Sequence, residues 1–178
     1  MTKIFGIGLS RTGTTSLHYA LMSLGYSSVH MPINMAEIDS HDAASDTGVS
    51  YMFEELDRLY PGSKFILTVR NLENWLESCD FHFNHRITPE KLSPTHTEFL
   101  TKVRMKLYGT VYYQPGLFKE AYQRHMQRVE NYFAHRTQDL LILNICAGDG
   151  WDKLCTFLGD ATPNKSFPYV NRTFEISK

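Results

Sequence analysis

Gly8-Leu9-Ser10-Arg11-Thr12-Gly13-Thr14-Thr15-Ser16-Leu17 is the stretch that decides the fold. It follows a short apolar run, Ile4-Phe5-Gly6-Ile7, and opens a segment of helical periodicity, so it reads as the turn between a strand and a helix. Gly8 and Gly13 have the spacing of the two glycines in a Walker A phosphate loop. Glycines let the backbone close around a phosphate with its N–H groups turned inward, and the positive end of the following helix adds attraction. In a nucleoside-triphosphate loop the next two positions are Lys and Ser or Thr; here they are Thr14 and Thr15. A cation is offered inside the loop instead, as Arg11. The pattern predicts an anion site that lacks the lysine for β- and γ-phosphates.

Outward from the loop, helical and strand signals alternate. Leu17, Ala20, Leu21 and Leu24 form one apolar helical face, closed by Gly25. Ser28-Val29-His30-Met31 reads as a second short strand stopped by Pro32, and residues 34–42 as a loop or irregular helix. Ala43-Ala44-Ser45-Asp46 is a strand end, with Gly48 as punctuation before a helix over residues 50–60 that buries Met52, Phe53, Leu56 and Leu59. Lys64-Phe65-Ile66-Leu67-Thr68-Val69 is nearly all apolar, which suits a parallel strand covered on both faces. Asn71 is placed to cap a helix carrying Leu72, Trp75, Leu76 and Cys79. Helices over about residues 95–108 and 115–135, a strand at residues 140–145, and a helix with Trp151, Leu154, Cys155 and Leu158 complete the pattern before an extended tail. The alternation predicts an α/β fold: three layers, α/β/α, around a central, mostly parallel sheet of about four to five strands, like that of the P-loop NTPases. One domain over residues 1–178 is expected, with residues 80–117, rich in aromatics and His, Lys and Arg, as a helical lid over an acceptor pocket. In such sheets ligands bind beyond the carboxyl ends of the strands.

Composition narrows the function. With 178 residues, 42% hydrophobic and 21% charged, the chain is an ordinary globular one. A formal charge of -1 argues against a general nucleic-acid or membrane-surface binder, so any anion site is built by local placement of Arg, Lys and backbone amides. No apolar run reaches membrane-spanning length, and Met1-Thr2-Lys3 leads straight into the first strand, unlike a signal peptide. Cys79, Cys146 and Cys155 lack metal or CxxC spacing and are expected to be buried thiols of a reduced, cytoplasmic protein.

A second constellation sits farther on. The strand at residues 64–69 ends in Arg70, and Ser78 follows eight residues later on the next helix. Both face the carboxyl edge that carries the loop, and two separated anion sites suit a nucleotide bearing phosphate at its 5′ and 3′ positions. On these two motifs the chain resembles the sulfotransferases that use 3′-phosphoadenosine 5′-phosphosulfate (PAPS). Arg11-Thr12-Gly13-Thr14-Thr15 is similar to the first motif of that family, and Arg70 with Ser78 to the second. Residues 60–70 and 148–159 resemble a compact branch of it. The resemblance implies that the loop from Arg11 through Thr12, Gly13, Thr14, Thr15 and Ser16 holds the 5′-phosphosulfate, and that Arg70 and Ser78 hold the 3′-phosphate. It also implies that Arg11 neutralises charge on the bridging oxygen as the S–O bond breaks. The product nucleotide would be 3′,5′-adenosine bisphosphate, and no metal is demanded.

Sulfonation of a hydroxyl or amine needs a group to take the acceptor's proton. His30, at the end of the second strand, and Asp46, at the end of the third, are the two candidates, nearly even. His125 falls on the apolar stripe of its helix and reads as a core histidine. The chain departs from the family in two places. Ser16 stands where many members carry a Trp that stacks on adenine, and the late Arg-Lys-Gly element is absent, with Arg172 a weak substitute. A P-loop kinase or nucleotide hydrolase, or a catalytically silent nucleotide-binding module, are the competing readings. The acceptor is a small molecule of unspecified kind, and a homodimer completing its pocket is left open.

Overall fold

The computed structural model describes residues 2–85 and 93–170. Arg172 and part of the expected lid lie outside the described residues. Five strands, β1 (Ile4–Gly6), β2 (Ser28–His30), β3 (Ala43–Ser45), β4 (Lys64–Thr68) and β5 (Leu140–Leu143), form one sheet in the order β2-β3-β1-β4-β5. Every neighbouring pair is parallel. The helices are α1 (Thr14–Ser23), α2 (Met35–Asp39), α3 (Thr47–Leu59), α4 (Leu72–His85), α5 (Pro94–Tyr108), α6 (Pro115–Phe133) and α7 (Trp151–Leu158). This is the three-layer α/β/α arrangement of a P-loop-like fold.

Strand alternation distributes the core. Along β1, Ile4 packs with Leu17, Leu21 and Leu154 of α1 and α7, while Phe5 packs with Phe53, Leu56, Val129 and Phe133 of α3 and α6. In β4, Ile66 joins the first group and Phe65 and Leu67 the second. A parallel strand with helices on both faces must be apolar on both, which explains its unbroken hydrophobic run. A third cluster joins Leu9 of the loop to Trp75 and Phe83 of α4, Val103 and Leu107 of α5, and Phe118 of α6. It roofs the carboxyl edge of the sheet.

Four local expectations need correction. The helix expected from residue 50 starts at Thr47, so Gly48 lies in its first turn rather than ending a loop. Asp46 is the cap, and a β-carbon on Gly48 would come 2.8 Å from Phe99 Cζ of α5, so glycine is there for close packing. Leu59, at the end of that helix, is 54% exposed. The helix expected to stop near Cys79 runs on to His85, because Phe83 continues its buried face against Tyr108 and Phe118. Cys79 and Cys155 are buried, but Cys146 is exposed, since it sits in the short 3₁₀ turn Ile145–Ala147 that follows β5 at the sheet's edge. Among the described residues no helix is long and apolar enough to cross a membrane.

Candidate active site

The loop between β1 and α1 is held from four sides. Gly8 lies so close to Thr68, at the end of β4, that any β-carbon there would collide with the threonine side chain. Ser50 Oγ donates to the Gly8 carbonyl at 2.5 Å, and Trp75 Nε1 donates to the Ser10 carbonyl at 2.9 Å. Thr12 is fully buried; its hydroxyl donates to the Leu9 carbonyl at 2.7 Å and accepts from Thr68 Oγ1 at 2.6 Å. The Thr12 side chain is thus a brace for the loop. Gly13, at φ +109°, turns the chain into α1, whose first turn carries no side-chain cap. A helix start of this kind offers backbone N–H groups and a positive dipole end to an anion.

Backbone strain gathers here. Among the described residues the non-glycine residues at positive φ are Arg11 (+71°), Met31 (+61°) and Asp46 (+94°), which follow β1, β2 and β3. All three belong to the carboxyl edge of the sheet, where strained backbone fits a functional site.

The two motifs meet. Arg11 Nε donates to Ser78 Oγ at 3.0 Å, and Arg70 Nη1 donates to the Arg11 carbonyl at 3.4 Å. Arg70 is fixed in turn by Tyr122, whose hydroxyl donates to its carbonyl at 2.6 Å and accepts its N–H at 3.3 Å. Residues 67 positions apart in the chain therefore share one hydrogen bond at the end of β1 and β4. Cys146 lies beside them, its sulfur 4.0 Å from the Thr12 carbonyl.

His30 and Asp46, read as alternatives from the sequence, are partners. His30 Nε2 is 3.2 Å from Asp46 Oδ2, and 3.3 and 3.4 Å from the hydroxyls of Thr14 and Thr15. Asp46 is 6% exposed. Its Oδ1 accepts from the Thr47 N–H at 2.7 Å, the Thr47 hydroxyl at 2.8 Å and the Ser10 hydroxyl at 3.1 Å, which leaves Oδ2 for the imidazole. With Nε2–H donated to the carboxylate, a tautomer inferred from this network, the ring's lone pair is on Nδ1. Nδ1 has no hydrogen-bond partner among the described residues. The pair can orient an imidazole and accept a proton.

Ser16 is 2% exposed, and its hydroxyl accepts the Val170 N–H at 3.0 Å, so its side chain anchors the tail. Tyr169 donates to the Ile145 carbonyl at 2.6 Å, and the Ile145 side chain lies 3.3 Å from where a Gly13 β-carbon would be. His125 is a core residue as expected: 3% exposed, with Nε2 donating to the Ile7 carbonyl at 2.7 Å, and burial pushes its pKa down to about 4. Sequence reading missed Ser10, Thr47, Thr68, Tyr122 and Trp75 as parts of the site. For the last two the signal was that a buried indole N–H or phenol O–H demands a partner.

The family model described as a sulfotransferase domain matches residues 3–42 and 36–176. The chain is also 25% identical over 215 aligned positions to the Ava biosynthesis cluster protein M of Aspergillus versicolor, covering 94% of this chain and 80% of that protein. A strand–loop–helix turn with an uncapped helix start, a strand-end arginine hydrogen-bonded to it, and a family match along almost the whole length agree: the chain belongs to the sulfotransferase domain family.

Proposed function

We propose that the protein is a PAPS-dependent sulfotransferase acting on a hydroxyl or amine of a small molecule. One observation carries the proposal: the Arg11–Ser78 hydrogen bond, with Arg70 on the Arg11 carbonyl, gathers two cations and a hydroxyl beside an uncapped helix start. These residues fit a nucleotide with anionic groups at both ends. PAPS, when bound, supplies an activated sulfonate and a stable bisphosphate leaving group.

The chain's residues divide the work. The amides at the start of α1 and the hydroxyls of Thr14 and Thr15 hold the 5′ end, while Arg70 and Ser78 take the 3′-phosphate. Arg11, held at positive φ, stands where negative charge grows as the S–O bond breaks. His30 takes the acceptor proton on Nδ1, and Asp46 holds the ring and stabilises the imidazolium. The aromatic missing after the two threonines is supplied by the tail, with Tyr169 beside Ile145 and Gly13 as the group that contacts adenine. The described parts of residues 80–117, α5 and the end of α4, serve as a lid on the acceptor side. The relative's name speaks of a biosynthesis cluster, which suits a small-molecule acceptor.

Calorimetric titration tests this. The protein should bind adenosine 3′,5′-bisphosphate and bind ATP–magnesium at least about tenfold more weakly, because Thr14 replaces the loop lysine. Arg70→Ala should weaken the bisphosphate about tenfold to a hundredfold and leave adenosine 5′-phosphosulfate, which lacks the 3′ group, far less affected. Tight ATP binding without bisphosphate binding would point to a kinase or hydrolase. Bisphosphate binding without radiolabelled sulfonate transfer to any acceptor would leave a silent nucleotide-binding module.

A further inference from the structure

The helical roof carries a charge that neither the fold nor the donor site uses. Leu100, Arg104 and Tyr108 lie at i, i+4 and i+8 on α5, one stripe of the helix. Leu100 and Tyr108 are 5% and 1% exposed, so Arg104 is set in an inward-facing row and is itself half-buried. Its guanidinium stacks on Phe83 of α4, with 4.7 Å from the guanidinium carbon to the ring centroid. Among the described residues it makes no hydrogen bond or ion pair.

Among the described arginines that is unusual. Arg128 and Arg136 pair with Glu54 and Asp57, Arg124 donates to the Leu107 carbonyl, and Arg11 and Arg70 serve the loop. Arg58 lacks such a partner too, but it is exposed, where water solvates it. A guanidinium withdrawn from water without a partner is costly, and burial pulls the Arg104 pKa below its ordinary value. The Asp46 carboxylate acts against that shift. Asp46 is the carboxylate paired with His30, the proposed proton acceptor. α5 is brought there by Phe99, packed onto Gly48 two residues beyond Asp46.

We propose that Arg104 is the acceptor-binding cation, and that the acceptor is a hydroxy acid whose carboxylate pairs with it while its hydroxyl lies at His30. This rests on the sulfotransferase reading and names the substrate class for it. A planar guanidinium donates two parallel N–H bonds to a carboxylate, and one guanidinium balances one negative charge. Phe83 covers one side of the guanidinium, and its N–H groups make no hydrogen bond among the described residues. In the transfer, the acceptor oxygen forms a bond to sulfur as the bond from sulfur to the bridging phosphate oxygen breaks. The hydroxyl proton passes to His30, and the bisphosphate departs with the electron pair of the broken bond. Arg104 binds the far end of the acceptor and takes no part in the bond changes.

The test compares acids with their esters. Mandelic, lactic and coumaric acids, each beside its methyl ester, are offered to the native protein with radiolabelled PAPS. At least one acid should exceed its ester in kcat/KM by about tenfold or more. Arg104→Met should bring that ratio towards one, chiefly by raising KM for the acid, and Arg104→Lys should keep part of it. If no acid is preferred in the native protein, or if Arg104→Met leaves the ratio unchanged, the proposal is wrong. The native comparison needs no variant to fold. Should no acceptor be sulfonated, calorimetric titration of the bisphosphate-containing protein with the same acids and esters decides the matter. Tighter binding of an acid than its ester, lost in Arg104→Met, upholds the anion site while the transferase reading fails; equal binding of acid and ester overturns it.

Discussion

Asp46 does two jobs with its two oxygens. Oδ1 takes the Thr47 N–H as the cap of α3 and collects two hydroxyls, and Oδ2 faces His30. The φ of +94° at this residue is what an L side chain adopts only when its surroundings insist, and here the cap and the imidazole both require it. Asn at position 46 can still cap the helix, so Asp46→Asn should fold and yet lose the carboxylate that stabilises an imidazolium. A fall in kcat of roughly a hundredfold is expected for Asp46→Asn, and a similar or larger one for His30→Ala, with bisphosphate affinity held within about threefold. Steady-state kinetics beside calorimetry check this; unchanged kcat in both variants would remove the pair from catalysis. His125 makes a different prediction. Its ordinary pKa is 6.5 and burial holds it near 4 in the folded chain, so between those values the unfolded chain binds the proton and the folded one does not. Stability is therefore full above about pH 6.5 and falls as the pH drops towards 4, by up to about 3 kcal/mol. His125→Gln keeps a donor for the Ile7 carbonyl and does not titrate, so its urea midpoint should fall less steeply over that range.

At the scale of elements, the tail at residues 163–170 is tied to α7 and to the residues around the start of α1. Trp151, the first residue of α7, donates Nε1–H to the Lys165 carbonyl at 2.7 Å and packs edge-on against Phe167, with centroids 4.8 Å apart. Farther along, Tyr169 and Val170 bond to Ile145 and Ser16, next to the phosphate loop. The tryptophan is 8% exposed and joins the cluster beneath α1. Trp151→Ala should cost about 3–5 kcal/mol by urea denaturation, from lost burial and the cavity left behind. It should also weaken bisphosphate binding, because the tail would no longer be tied down beside Gly13. A stability loss with unaltered nucleotide affinity would show that the tail only covers the core.

For the whole molecule, the decisive feature is that three packed groups converge on one edge. Two cover the faces of the sheet, and the third, built on Trp75, Phe83 and Phe118, roofs the carboxyl ends. The proposed donor site ties the start of α1 to α4 through Arg11 and Ser78, so a bridging ligand links elements that unfold together. Adenosine 3′,5′-bisphosphate at a hundred times its Kd should add about 2.7 kcal/mol to the unfolding free energy. Thermal unfolding in the presence of the bisphosphate, with ATP–magnesium as the control, measures it. An equal shift from both nucleotides would deny the 3′-phosphate any role.

Residues 4–17 were enough to reveal the first strand, the glycine-bearing loop and the helix behind it, because an apolar run, two spaced glycines and a 3.6-residue period are all local signals. The same holds for the strand before Arg70 and for the spacing of Ser78, so the α/β class and both motifs were legible without coordinates. Tertiary structure decided what touches what. His30 and Asp46 end different strands, and only the parallel pairing of β2 with β3 turns two rival proton acceptors into one pair. Arg104 read as one cation among several in a basic stretch until the packing of α5 left it half-buried beside Phe83. Pairings of this kind depend on contacts between residues distant in sequence, and local periodicity carries no record of them.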